Sequence, residues 1–71
     1  IEVNGKTMYR VGKRYMIVCL EDDLTSEDVK AIGELSPRTV IFKESGFVDD
    51  NAKINAVYNL EHAGVEDIKC I

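Results

Sequence analysis

The chain reads as an α/β domain: a small mixed sheet of about five strands in the order β-β-β-α-β-α-β, with an N-terminal hairpin, three parallel strands and two crossover helices. Three observations predict it. Asn4-Gly5 sits between two short strand-like runs, the strongest two-residue signal for a hairpin. Apolar runs at 14–20, 39–43 and 65–71 then alternate with two segments of helical periodicity. Each of those segments opens on acid and closes on a breaker, Ser36-Pro37 or Gly64.

In chain order, residues 1–3 and 7–11 form the hairpin, and Gly12 bends the chain into residues 14–20. That run, Arg14-Tyr15-Met16-Ile17-Val18-Cys19-Leu20, is continuous and apolar, the pattern of a strand covered on both faces. Thr25 followed by Ser26, Glu27 and Asp28 is a helix start with acid in its first turn. Val29, Ile32 and Leu35 supply that helix with an apolar face, and the residue before Pro37 resists the helical region. Residues 39–43 are the next strand. The second helix covers 50–63, capped by Asp49 or Asp50, with Gly64 at C′ and the final strand at 65–71. Right-handed crossovers make the last three strands parallel, with the hairpin added at an edge.

Composition narrows function before any motif does. Nine basic against thirteen acidic residues give a net charge of −4, the wrong sign for a module that grips phosphate backbone. Lys6, Arg10, Lys13 and Arg14 do gather early, with Tyr9 and Tyr15 among them. They read as the solvated face of a hairpin, with a DNA-contacting tail as the alternative. Cys19 and Cys70 read as buried free thiols of a cytosolic protein. Neither a transmembrane run nor a signal peptide is visible, so a cytoplasmic location is expected. At 71 residues, folding buries only about 60% of the chain's accessible surface. The chain also starts at Ile1, not at methionine, so the expectation is one domain cut from a longer protein, a hairpin at 1–12 and an α/β core at 13–71.

The segment from Gly46 to Asn55 carries the densest chemistry. Lys53 falls within the apolar stripe of the second helix, between Ala56, Val57 and Leu60. An ammonium there either collects the carboxylates at the strand ends, Glu21, Asp22, Asp23 and Glu44, or lays its methylenes on the core and reaches water. Asp49 and Asp50 also lie within helical reach of it. The same four strand-end acids define a second reading, a Mg²⁺-binding or nucleotide-responsive module. Asn51, Asn55 and Asn59 recur every four residues and form either a contact surface or a hydrated helix back. His62 has no nucleophile at motif spacing, and no glycine-rich phosphate loop follows the strand at 14–20.

Phe-x-Asp-Asp-x-x-Lys-x-Asn after a strand, then a helix and a closing strand, resembles the C-terminal end of type III restriction-modification proteins, most closely the modification subunit. Phe47, Asp49, Asp50, Lys53 and Asn55 match position by position, residues 15–23 and 65–71 fit the same tail, and the likeness spans 13–71. One departure is Lys43-Glu44-Ser45, where the family has an aspartate or an arginine-aspartate pair before the Ser/Gly-Phe step. The resemblance implies a parent that methylates adenine N6 in DNA with S-adenosylmethionine. The tetrad of the Asp-Pro-Pro-Tyr type and the Phe-x-Gly-x-Gly cofactor loop that catalysis would require are not in this sequence. The expectation is therefore a segment without catalytic, cofactor or metal residues. It docks onto the methyltransferase body, a second modification subunit or the restriction subunit, and meets DNA only through the parent. A tail of the restriction subunit is the alternative within the same system. In this reading Phe47 anchors the turn, Asp49 and Asp50 cap the helix, and Lys53 ties it to the acidic strand ends.

Overall fold

A computed structural model describes residues 1–13 and 15–71. Arg14, expected to open a strand and to join the early basic group, lies outside the described residues. The described elements are β1 (Glu2–Val3), β2 (Lys6–Thr7), β3 (Tyr9–Val11), β4 (Met16–Cys19), α1 (Ser26–Glu34), β5 (Thr39–Phe42), a 3₁₀ turn (Glu44–Gly46), α2 (Asp50–His62) and β6 (Asp67–Cys70). They form a mixed α/β domain as expected, with one strand more than the expected β-β-β-α-β-α-β and with the hairpin as a sheet of its own instead of an edge of the main one. β1 and β2 make a two-stranded antiparallel hairpin. A second sheet has the order β3-β4-β5-β6, antiparallel at β3/β4 and parallel across β4, β5 and β6.

The expected strand at 7–11 is two strands, in different sheets. Met8 divides them because its side chain is wholly buried while its N–H and C=O both pair with Ile1, at 2.8 Å each. The chain turns there, and Tyr9–Val11 joins β4 instead of continuing beside β1.

Both helices lie on one face of the sheet. The connections β4-α1-β5 and β5-α2-β6 step in the same direction across the sheet, so two right-handed crossovers deliver their helices to the same side. Ile17, Cys19, Val40 and Phe42 alternate toward that side and meet Val29 and Ile32 of α1 and Ala56 and Leu60 of α2, all buried. The helices approach closely at Gly33, where a Cβ would stand 3.1 Å from that of Ala63. Burial on β4 alternates, Met16 and Val18 half-buried against Ile17 and Cys19 buried, so the expectation of cover on both faces is corrected to cover on one.

The helix ends follow their local chemistry. Thr25 caps α1 in a reciprocal capping box with Asp28. α1 ends at Glu34, and Ser36 takes the left-handed conformation at φ 54° ahead of Pro37. Leu35 is therefore the C-cap, 39% exposed, not part of the core face as its spacing suggested. Asp49 caps α2 by accepting from the Ala52 N–H at 2.8 Å. Gly64, at φ 96°, closes α2 as a Schellman motif, with Val65 N–H on the Leu60 carbonyl at 3.0 Å and Gly64 N–H on that of Glu61 at 3.1 Å. Among the described residues no helix is long and apolar enough to cross a membrane.

Phe42 is the largest wholly buried side chain among the described residues. Its truncation to alanine should cost about 3–5 kcal/mol, against a total of roughly 4–10 kcal/mol for a domain this size. Urea unfolding followed by circular dichroism checks this: Phe42→Ala should lose at least about a third of the wild-type midpoint.

Candidate functional site

Two regions concentrate chemistry outside the core, the carboxyl end of the parallel strands and the face of the sheet opposite the helices. At the strand ends, β4 runs into Glu21, Asp22 and Asp23, and β5 into Lys43 and the 3₁₀ turn. Lys43 N–H donates to the Cys19 carbonyl at 3.1 Å, which brings its side chain beside the acidic turn. Asp22 Oδ1 accepts from Lys43 Nζ and from Ser45 Oγ, both at 3.3 Å. Glu21 Oε1 accepts from the Thr7 N–H at 3.2 Å, and the Asp23 carbonyl accepts from Lys6 Nζ at 3.0 Å. Glu44 serves through its backbone, donating to the Ile71 carbonyl at 2.7 Å. The four acids do not converge: no group of three or more His, Cys, Asp or Glu among the described residues is arranged to hold a metal ion.

Lys53 stands elsewhere than expected. It is half-buried, lines a shallow recess with Asp50, Ile54 and Val57, and makes no ion pair among the described residues. The role expected of it at the acidic strand end belongs to Lys43, because the β4/β5 register carries residue 43 to the end of β4. Asp49 spends its carboxylate on the cap. Phe47 does anchor its turn, meeting the Phe42 ring edge-on with centroids 5.0 Å apart. Gly46 permits this path, since a Cβ there would lie 3.0 Å from the Glu21 carbonyl oxygen.

Asn51, Asn55 and Asn59 are all exposed, and Asn55 and Asn59 border the groove between α1 and α2 with Val29 and Ser26. His62 stacks on Tyr58 at 4.2 Å, with Nδ1 3.1 Å from the Tyr58 carbonyl. Arg10 lies over the Tyr15 ring at 4.3 Å. Cys19 and Cys70 are free, and burial pushes the Cys19 thiol up from its ordinary value.

Among the described residues the buried charge is Asp28, which its sequence position marked only as first-turn acid. It is 2% exposed and accepts from Lys6 Nζ in a short ion pair, from Asn4 Nδ2 at 2.8 Å and from the Thr25 N–H at 2.9 Å. Burial pushes its carboxyl up, but Lys6, Thr25 and Asn4 outweigh that and hold it at about 2, below its ordinary 3.8. The hairpin is thereby pinned to the start of α1.

Opposite the helices, the sheet presents two cross-strand rows. The registers align Tyr9, Val18, Ile41 and Lys69 in one, and Val11, Met16, Thr39 and Asp67 in the other. Tyr9 and Val11 are 58% and 52% exposed. Parallel strands are ordinarily covered on both faces, whereas here the helices cover one, leaving Met16, Val18, Thr39 and Ile41 half-buried on the other. That face was legible only as the unbroken apolar run at 14–20. Comparison with known protein families, characterised proteins and solved structures gives no match for this chain.

Two outcomes follow from these contacts. Since the folded Asp28 value lies below the unfolded one, its contribution, on the order of 2 kcal/mol, is complete above about pH 4 and lost as pH falls toward about 2. Asp28→Ala, which removes the carboxylate that Lys6, Asn4 and the Thr25 N–H share, should cost about 1.5–3 kcal/mol at pH 7 and flatten that acid limb in urea titrations. Lys53→Met should stay within about 0.5 kcal/mol of wild type; a loss near that of Asp28→Ala would mean that its ammonium is held by carboxylates after all.

Proposed function

We propose that this chain is a non-catalytic C-terminal assembly domain of a type III modification methyltransferase, a DNA adenine-N6 methyltransferase using S-adenosylmethionine. The observation that carries the docking role is the sheet face left without helices, with Val18 and Ile41 at its centre. The strand-end acids support the same reading, because Asp22 and Glu21 are engaged in contacts within the domain. The methyltransferase assignment rests on the resemblance carried by the Phe47–Asn55 motif and by residues 15–23 and 65–71. In this role the helical face folds the domain while the open face joins it to the methyltransferase body, a second modification subunit or the restriction subunit. DNA is met through the parent.

A glutamate at Ile41 places a charge in the middle of the open face without entering the core. In the full-length protein, Ile41→Glu should weaken subunit association more than tenfold and leave the circular dichroism spectrum unchanged. Sedimentation and restriction-subunit capture read the first effect. Deletion of residues 1–71 that left association, restriction-subunit binding and methylation intact would refute the assembly role.

A further inference from the structure

We propose that the groove between α1 and α2 binds a basic, extended peptide segment by its main chain, an inference that goes beyond the assembly reading above and does not rest on it. Two recesses adjoin along the groove and share Val29 on their floor, one reaching Gly33 and Ala63, the other Ala56 and Phe47. Asn55 and Asn59 stand on the α2 side. Glu27, Lys30 and Glu34 stand on the α1 side.

The amides carry the recognition. Four residues along a helix advance about 6.0 Å. In an extended chain, the residues that turn their N–H and C=O to the same edge recur about every 6.6–6.8 Å. Asn55 and Asn59 are therefore spaced to meet alternate residues of a peptide lying along the groove. Each carboxamide offers an acceptor and two donors, which answers the N–H and C=O that one extended residue turns to that edge. Among the described residues neither side chain is engaged in a hydrogen bond within the chain. Alternate side chains of an extended peptide point the same way, so the two residues held by the amides can each fill one recess. Asn51, the third member of the row, is exposed and borders neither recess.

The opposite wall sets the charge. Glu27 and Glu34 are exposed and two helical turns apart, about 10.5 Å, with Lys30 between them. None of the three forms an ion pair among the described residues. Two carboxylates against one ammonium favour a cationic partner, and their separation is the span of about three extended residues. A segment with alternating aliphatic side chains and a lysine or arginine at either end fits both walls. An acidic segment or a phosphate backbone meets like charge on α1.

A defined peptide tests this. Acetyl-Lys-Leu-Ala-Leu-Lys-amide, titrated into the 71-residue chain, should shift the amide resonances of Ser26, Val29, Asn55 and Asn59, with a dissociation constant below about 1 mM. Asn55→Ala and Asn59→Ala should each weaken binding at least about threefold, and Asn51→Ala should not. Methylating both leucine nitrogens removes the N–H groups that the carboxamides accept, and should abolish binding with the protein unaltered. The peptide with glutamate at both ends should bind about fivefold more weakly, a difference that the Glu27→Gln/Glu34→Gln double variant should erase. Circular dichroism of each variant separates lost binding from lost folding. No shifts at about 2 mM peptide, shifts centred on Val18 and Ile41 instead, equal binding of the methylated peptide, or an Asn51→Ala effect as large as the other two would overturn the proposal. The groove and the open sheet face share none of these residues, so this titration and the Ile41→Glu experiment succeed or fail separately.

Discussion

Asp28 is the constraint on which the rest of this domain depends. A carboxylate almost without solvent has to find its hydration inside the protein, and it does so from three directions: Lys6 and Asn4 of the hairpin and the Thr25 N–H at the helix start. Each contact also closes something else. The Thr25 exchange starts α1, and the Lys6 and Asn4 contacts hold residues 1–7 against it, so that Val3 and Met8 reach the core. The two-stranded ladder of the hairpin is marginal in water by itself, so such contacts with the rest of the domain matter to it. The early lysine is thus spent inside the fold and is not available to a phosphate backbone.

The same economy of side chains organises the carboxyl end of the sheet. Position along β5 decides which lysine meets the acidic turn, and Lys43 is carried there by a backbone hydrogen bond to Cys19. Exposed on both sides, that pair is a weak tie, worth little in water. The stronger organiser of the turn is apolar: Phe47 against Phe42, with Gly46 letting the two loops touch. Lys53 is left on the flank of α2, half-buried beside a recess it shares with Ile54 and Val57, as long cationic side chains commonly lie.

One-sided cover gives the domain its outward character. Two crossovers stepping the same way can only stack their helices on one side, so the topology that builds the core also leaves the opposite face open. Six apolar or hydroxyl-bearing side chains line that face with Asp67 and Lys69 of the edge strand, ordered in rows by the strand registers.

Much of the architecture was legible in the chain itself. Asn4-Gly5, Thr25, Asp49 and Gly64 set the turn and the helix ends through contacts within a few residues, which is why local spacing predicted them. Alternation and run length marked β4, β5 and β6, and the order of elements carried the parallel pairing. Contacts between distant residues were not legible. Met8 breaking the hairpin, Lys6 meeting Asp28 across 22 positions, and Lys43 taking the place expected of Lys53 all depend on which strand ends up beside which. Periodicity shows that β4 is apolar on both faces but not whether something covers each of them. Sequence alone therefore determined the local chemistry of starts, stops and strands, because that chemistry acts over a few residues. Only the tertiary structure decided which charges pair and which face stays open, because both are set by register and crossover handedness acting across the whole sheet.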